Sequence, residues 1–247
     1  EASQWEDADG DGYGDNPNGF EGDSFPSNAE QWSDSDGDGY GDNVNGLNGD
    51  KFIDEPSQWL DADQDGFGDN PNGITPDACP SVNGFSTEDR FGCLDSDLDG
   101  WSNPTTNWTI AQGADALPLQ KSQWRDGDGD GYGDNSSAPN GDMFPTDATQ
   151  WADQDGDGYG DNPTGTAPDA YPTDATQWAD TDGDGYGDNP TGTNGDAFPA
   201  DSTQWADQDG DGFGDNQAGT DPDAFPADST QWDDQDGDGF GDNQGGN

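Results

Sequence analysis

The sequence predicts a fold class of mostly irregular chain with little regular secondary structure, an elongated tandem-repeat array held together by bound metal rather than by a greasy interior. Three observations predict it. The dipeptide Gln-Trp recurs at a strict period of 27 residues over most of the 247-residue chain; only 25% of the residues are hydrophobic; and 57 Asp and Glu face four Lys and Arg, a formal charge of -53.

The charge comes first, because by composition alone such a chain expands and stays disordered unless something cancels its self-repulsion. The only cations are Lys51, Arg90, Lys121 and Arg125, so no basic face exists for nucleic acid or an anionic membrane surface. With no histidine and only two cysteines, zinc, copper and haem lack their usual ligands. Carboxylate oxygens suit hard cations, of which calcium is the natural one. The same inventory argues against an enzyme: there is no histidine base, no activated Ser or Cys constellation and no phosphate-cradling loop. Repeated Gly-rich loops also give paired acids no deep pocket.

The repeat comes next. Gln-Trp stands at Trp5, Trp32, Trp59, Trp124, Trp151, Trp178, Trp205 and Trp232, and each copy reads QWxDxDGDGYGDN, with Phe allowed for Tyr. A Gly, Asn and Pro-rich connector follows and ends in DxFP or a close variant. So much Gly and Pro leaves almost no room for helix. The gap between Trp59 and Trp124 holds a ninth, divergent copy, with Asp95, Asp97, Asp99, Gly100, Trp101 and Asn103 in the loop and Asp115-Ala116-Leu117-Pro118 for DxFP. Three regions follow: repeats 1–3 over 1–78, the divergent copy with its insertion over 79–122, and five further copies over 123–247, the last truncated. The chain begins and ends inside a repeat, since Glu1-Ala2-Ser3-Gln4 matches Asp147-Ala148-Thr149-Gln150, and it reads as a segment of a longer array. No stretch approaches the length of a membrane span.

In this register Cys79 replaces the Phe of DxFP and Cys93 replaces the Trp of the next copy. A disulfide here joins two positions that are aromatic at the other junctions, which predicts that each such Phe packs on the following Trp. The bond closes a loop of about 15 residues, worth about 3 kcal/mol in the chain-entropy model, and places the protein in oxidising surroundings outside the cytoplasm. The alternative is two free thiols in a reducing compartment.

The loop pattern DxDxDGxGD sets carboxylates at positions 1, 3, 5 and 9 and glycine at position 6, the positions from which EF-hand calcium loops draw ligands, with the position 7 carbonyl added. In the first copy these are Asp7, Asp9, Asp11, the Tyr13 carbonyl and Asp15. The pattern lacks the bidentate Glu at position 12 and the flanking helices, so these are not EF-hands. The missing ligand is either the Asp of DxFP, Asp23 in the first copy, or a second ion sharing carboxylates; the number of ions stays open. A solvated polar turn is the bland reading of one such loop. Nine in register argue against it, because carboxylates crowded into a short loop repel strongly without a cation.

These loops resemble thrombospondin type 3 repeats, a family of calcium-wrapping extracellular repeats. The likeness covers essentially the whole chain and is most specific at CLDSDLDGWSN and the upstream DACP, which bear Cys93 and Cys79. Most copies depart from the family by using Trp and Phe where it has cysteine. The resemblance implies a chain wound round a line of calcium ions, at least one per repeat. Carried over copy by copy, the implied ligands after the first loop are Asp34, Asp36, Asp38, Tyr40, Asp42 and Asp50, then Asp61, Asp63, Asp65, Phe67, Asp69 and Asp77. The divergent copy supplies Asp95, Asp97, Asp99, Trp101, Asn103 and Asp115. The later copies supply Asp126, Asp128, Asp130, Tyr132, Asp134 and Asp142; Asp153, Asp155, Asp157, Tyr159, Asp161 and Asp169; Asp180, Asp182, Asp184, Tyr186, Asp188 and Asp196. Last come Asp207, Asp209, Asp211, Phe213, Asp215 and Asp223, then Asp234, Asp236, Asp238, Phe240 and Asp242. The aromatic residues at position 7 act through their carbonyls. Gln64 and Leu98 replace loop glycines and Asn103 replaces an acid, so the third and divergent copies are expected to bind more weakly.

The regularly phased aromatics are read as small clusters between successive units, with a carbohydrate platform as the alternative. Asn107-Trp108-Thr109 and Asn135-Ser136-Ser137 are sequons for N-linked glycans on a secreted surface. The insertion from Ser81 to Gly92 and the tract from Pro104 to Gln120 break the period, as tolerated loops or as a lateral contact. Three functions are weighed: a structural rod, stalk or filament at or outside the cell surface, an adhesin that contacts protein or glycan, and a calcium buffer or sensor. Near-identical units favour the first, because a spacer needs many equal units whereas a recognition site needs one special unit. They also permit self-association into a filament.

Overall fold

The computed structural model describes residues 6–243; Trp5, residues 1–4 and residues 244–247 lie outside the described residues. Regular structure among the described residues amounts to one turn of 3-10 helix, Ile110–Gln112, and isolated parallel bridges. The expectation of little regular secondary structure therefore holds. The bridges repeat with the sequence: Gly14 pairs with Gly22, Gly41 with Gly49 and Gly68 with Pro76, and Gly133, Gly160, Gly187 and Gly214 pair likewise in the later copies. The chain divides into two compact units, Glu1–Arg125 and Asp126–Asn247.

No apolar core forms. Cys93 and Ala114 are the only buried hydrophobic residues among those described, and the largest fully buried side chains are glutamines and aspartates. Burying an amide is costly unless every polar atom finds a partner, and the glutamine before each Trp meets that condition. In the first unit, Gln31 Oε1 accepts the Asn43 N–H (3.0 Å) while its Nε2 donates to the carbonyls of Asn43 (2.8 Å) and Leu47 (3.3 Å). Gln58 repeats the pattern with Asn70 and Ile74. In the second unit Gln150, Gln177 and Gln204 clasp Asn162, Asn189 and Asn216 in the same way. The amide side chain thus pins the connector to the start of its own repeat. It was visible in the sequence as half of the Gln-Trp signature, but only the Trp was assigned a role there.

From Trp32 onwards, the ring of each Gln-Trp pair stacks almost parallel on the position 7 aromatic of the preceding loop. Tyr13–Trp32 (5.2 Å) and Tyr40–Trp59 (4.9 Å) do so in the first unit, and Tyr132–Trp151, Tyr159–Trp178, Tyr186–Trp205 and Phe213–Trp232 in the second. The expected partner, the Phe before Pro, is therefore replaced by the loop aromatic. The reason is local: the DxFP segment meets the Trp through its backbone, as in Ser24 N–H to the Trp32 carbonyl (3.0 Å).

The disulfide Cys79–Cys93 is formed, with the Cα atoms 5.1 Å apart. Its register is richer than a simple exchange for Phe and Trp. Towards the preceding repeat, Phe91 takes the place of the Trp: its carbonyl accepts the Ala78 N–H (2.9 Å) and its ring meets Phe67 at 5.7 Å. Towards its own loop Cys93 keeps the Trp register, since Asn103 N–H reaches the Leu94 carbonyl (2.7 Å) as Asp42 N–H reaches that of Ser33 (2.9 Å). Cys79 and Cys93 are 14 residues apart where Phe25 and Trp32 are 7 apart, and one tryptophan's duties are shared between Phe91 and Cys93, two residues from each other.

Candidate metal centres

Each loop is closed by its own aspartates. In the second copy Asp34 accepts the N–H groups of Gly37 (2.7 Å) and Gly39 (3.1 Å), Asp36 that of Asp38 (3.1 Å) and Asp38 that of Tyr40 (2.8 Å). The turn needs left-handed backbone at positions 4 and 6, where Gly37 and Gly39 have φ of 82° and 96° and glycine carries no Cβ penalty. Gln64 and Leu98 nevertheless adopt φ of 67° and 64° at position 4, so those two loops keep the same path.

Position 9 works as a latch. In eight of the nine loops its side chain accepts the N–H of position 2, as Asp42 Oδ1 does from Ser35 (3.0 Å) and Asp188 Oδ1 from Thr181 (2.9 Å). Asn103 makes the same bond from Ser96 (3.1 Å) through its amide oxygen. Around Asp42, burial acts to raise the carboxyl pKa, yet the hydroxyls of Ser33 and Ser35 and the Ser35 N–H outweigh it and hold the value below the ordinary 3.8.

After this closure a set of carboxylate oxygens is left bare. In the first copy Asp9 Oδ2, Asp11 Oδ2 and Asp23 Oδ2 are buried without a hydrogen-bond donor, and the pattern recurs at Asp128, Asp130 and Asp142, at Asp155, Asp157 and Asp169, and in the following two copies. Asp7, Asp9 and Asp11 each offer an oxygen within 4.8 Å of the others, as do Asp34, Asp36 and Asp38, Asp61, Asp63 and Asp65, Asp95, Asp97 and Asp99, Asp126, Asp128 and Asp130, and four further groups. The Asp of DxFP joins this field: Asp23 is fully buried, and its nearest charges are Asp11, Asp9 and Asp15. Burial first, then these neighbours, raise its pKa against the Phe25 N–H that lowers it. Asp77 and Asp115 are pushed furthest, to about 6 each, again by burial first and then by the carboxylates of their own loops.

Bare, buried, like-charged oxygens are expensive to leave without a counter-charge. The donor set is all oxygen, which fits a hard divalent cation and not a soft one. These Asp groups could hold metal ions, and the chain brings the carboxylates of positions 1, 3 and 5 together. Of the two sequons, Asn107 is exposed, whereas Asn135 occupies the repeat position at which Asn43, Asn70 and Asn162 donate Nδ2 to a backbone carbonyl.

The divergent copy shows what the sequence left open. Asp89 of the insertion accepts from Ser102 N (2.8 Å), Ser102 Oγ (2.5 Å) and Trp108 Nε1 (2.9 Å), and Arg90 lies 5.5 Å from the centre of the Trp108 ring. The two aperiodic tracts therefore clasp each other. Ser102 stands where the other loops have a glycine, because Asp89, and not a buried glutamine, fills that side.

Fold and loops together define the class: an acidic, tandemly repeated chain, almost without regular secondary structure among the described residues, whose aspartate clusters could hold metal ions. No protein-family model matches this chain, and no curated protein matches it. Among the described residues no helix is long and apolar enough to cross a membrane.

Proposed function

We propose that this protein is a structural calcium-binding repeat protein of the thrombospondin type 3 kind, working as a rigid rod, stalk or filament on or outside the cell. The observation that carries the reading is the buried, donorless oxygen on the DxFP aspartate, repeated at Asp23, Asp77, Asp115, Asp142, Asp169, Asp196 and Asp223. An apolar core is absent among the described residues and glutamine clasps cannot cancel a charge of -53. Bound calcium would supply the missing positive charge; the side chains of positions 1, 3 and 5 with the DxFP aspartate would hold it, while position 9 keeps the loop closed. The disulfide supports oxidising surroundings. Nothing in the loops calls for catalysis, and near-identical units suit a spacer that can also associate with copies of itself. A second reading, an adhesin that contacts protein or glycan, is favoured by the exposed Val82 and Phe85 on the insertion.

The test is calcium titration of the metal-free protein, followed by Trp fluorescence and small-angle scattering. Calcium is expected to bind at every repeat and to turn an expanded chain into a stiff one, and a chelator to reverse it. A metal-free chain that scatters identically to the loaded one would sink the proposal.

A further inference from the structure

The third and fourth loops, residues 61–69 and 95–103, differ from the rest in their position 3 aspartates. In the regular loops one oxygen of that aspartate accepts the position 5 N–H, as in Asp38 N–H to Asp36 Oδ1 (3.1 Å) or Asp157 N–H to Asp155 Oδ1 (3.2 Å). Asp63 and Asp97 have both oxygens buried and without a donor. Both loops carry a side chain one residue on. Glycines at position 4 have φ of 73° to 83°, whereas Gln64 and Leu98 stand at 67° and 64°; in the third loop the Asp65 N–H bonds Asp61 Oδ1 alone (3.3 Å), where the Asp211 N–H reaches Asp209 Oδ1 as well as Asp207 Oδ1.

The disulfide-closed insertion then braces both loops. Towards the third, Gly84 N–H donates to Asp65 Oδ2 (3.2 Å) and Asn83 Nδ2 to the Asp63 carbonyl (3.1 Å). A side chain at Gly92, whose φ is 73°, would collide with Asp77 Oδ1. Towards the fourth, the N–H groups of Thr87 (2.7 Å) and Glu88 (2.9 Å) share the Gly100 carbonyl. The DxFP aspartates of these loops are 5% (Asp77) and 0% (Asp115) exposed, each with a donorless Oδ2.

We propose that these two loops, tied together by the insertion that Cys79–Cys93 closes, are the tightest metal sites of the chain, the first to fill and the last to empty. The proposal rests on the metal-binding reading above and reverses the order expected from their irregular sequences. Four buried oxygens lack a donor in the fourth loop, on Asp97, Asp99 and Asp115, and four in the third, on Asp63, Asp69 and Asp77, against three in the first, so a metal relieves more uncompensated oxygen here. The ligands are also held in place before it arrives, and the outer hydrogen bond on Asp65 orients a ligand in the way that commonly shifts metal affinity by about tenfold or more.

The experiment is stepwise chelation of the calcium-loaded full chain, followed by NMR at the position 6 amides: Gly66 and Gly100 against Gly39 and Gly158. Gly66 and Gly100 are expected to hold the loaded signal to chelator levels about tenfold higher. The variant Gln64→Gly restores the regular loop sequence and is expected to weaken the third site about tenfold, bringing Gly66 level with Gly39. Replacing both cysteines by serine is expected to do the same to Gly66 and Gly100 together. Release of Gly66 and Gly100 with or before the others, or tighter binding in Gln64→Gly, overturns the proposal while leaving the metal reading intact. If none of the four amides responds to calcium, the metal reading itself fails.

Discussion

Gln31 lies against Gly41 so closely that a Cβ on the glycine would overlap the amide, and the same pairing joins Gln150 to Gly160 ten residues on. A glutamine with three partners does the work usually given to an apolar side chain.

Substitution at either member of that pair is expected to open one repeat. Gln150→Ala leaves the Asn162 N–H and two carbonyls without their buried partner, at a cost of about 1 to 3 kcal/mol. Gly160→Ala forces the amide out and should cost a similar amount. Amide hydrogen exchange at Asn162 in the calcium-loaded protein checks both; protection equal to wild type would refute the glutamine clasp.

The metal-free protein is expected to gain stability in acid. Asp77 and Asp115 have pKa values of about 6 in the fold against an ordinary 3.8, so the folded state binds more protons than the unfolded one between those values. Their contribution is favourable while they are protonated, and it is lost as pH rises from about 4 to about 6. In chelator the chain should therefore be more compact near pH 4 than near pH 6 by small-angle scattering. Calcium affinity should move the other way and weaken below pH 6, because proton and metal compete for the same oxygens. A metal-free chain that scatters as more compact at pH 6 than at pH 4 would contradict this.

Asp89 is expected to anchor the divergent unit. Asp89→Ala removes an acceptor from Ser102 N, Ser102 Oγ and Trp108 Nε1 and should cost about 2 kcal/mol, as for hydrogen bonds to a charged group. The Trp108 indole N–H, read by NMR, should then shift and exchange faster with solvent. An unchanged spectrum would remove Asp89 from that role.

At position 9 the shape of the acceptor should matter more than its charge. Asn103 already makes the latch that Asp42 makes, so Asp42→Asn should keep slow exchange at the Ser35 amide while Asp42→Ala loses about 1 kcal/mol of local protection. Equal loss in both variants would instead give the charge the leading part.

The period, the nine loops and the Cys79–Cys93 pairing could all be read from residue types and spacing. They depend on local backbone demands: glycine at left-handed positions, aspartate beside the N–H groups of its own turn, and two cysteines a short loop apart. Contacts set by how the connector folds back could not be read this way. Whether Trp32 meets Phe25 or Tyr13 depends on which face the Ser24 to Trp32 backbone bond leaves open, and Phe91 inherits a tryptophan's place because the longer junction sets it two residues before Cys93. The glutamine beside each Trp carries no sign of burial in the sequence, and the fold-back is what encloses it. Local hydrogen-bond chemistry is written in consecutive residues, whereas the choice of partner across 12 to 20 residues is made by steric fit and burial, which exist only once the chain has closed.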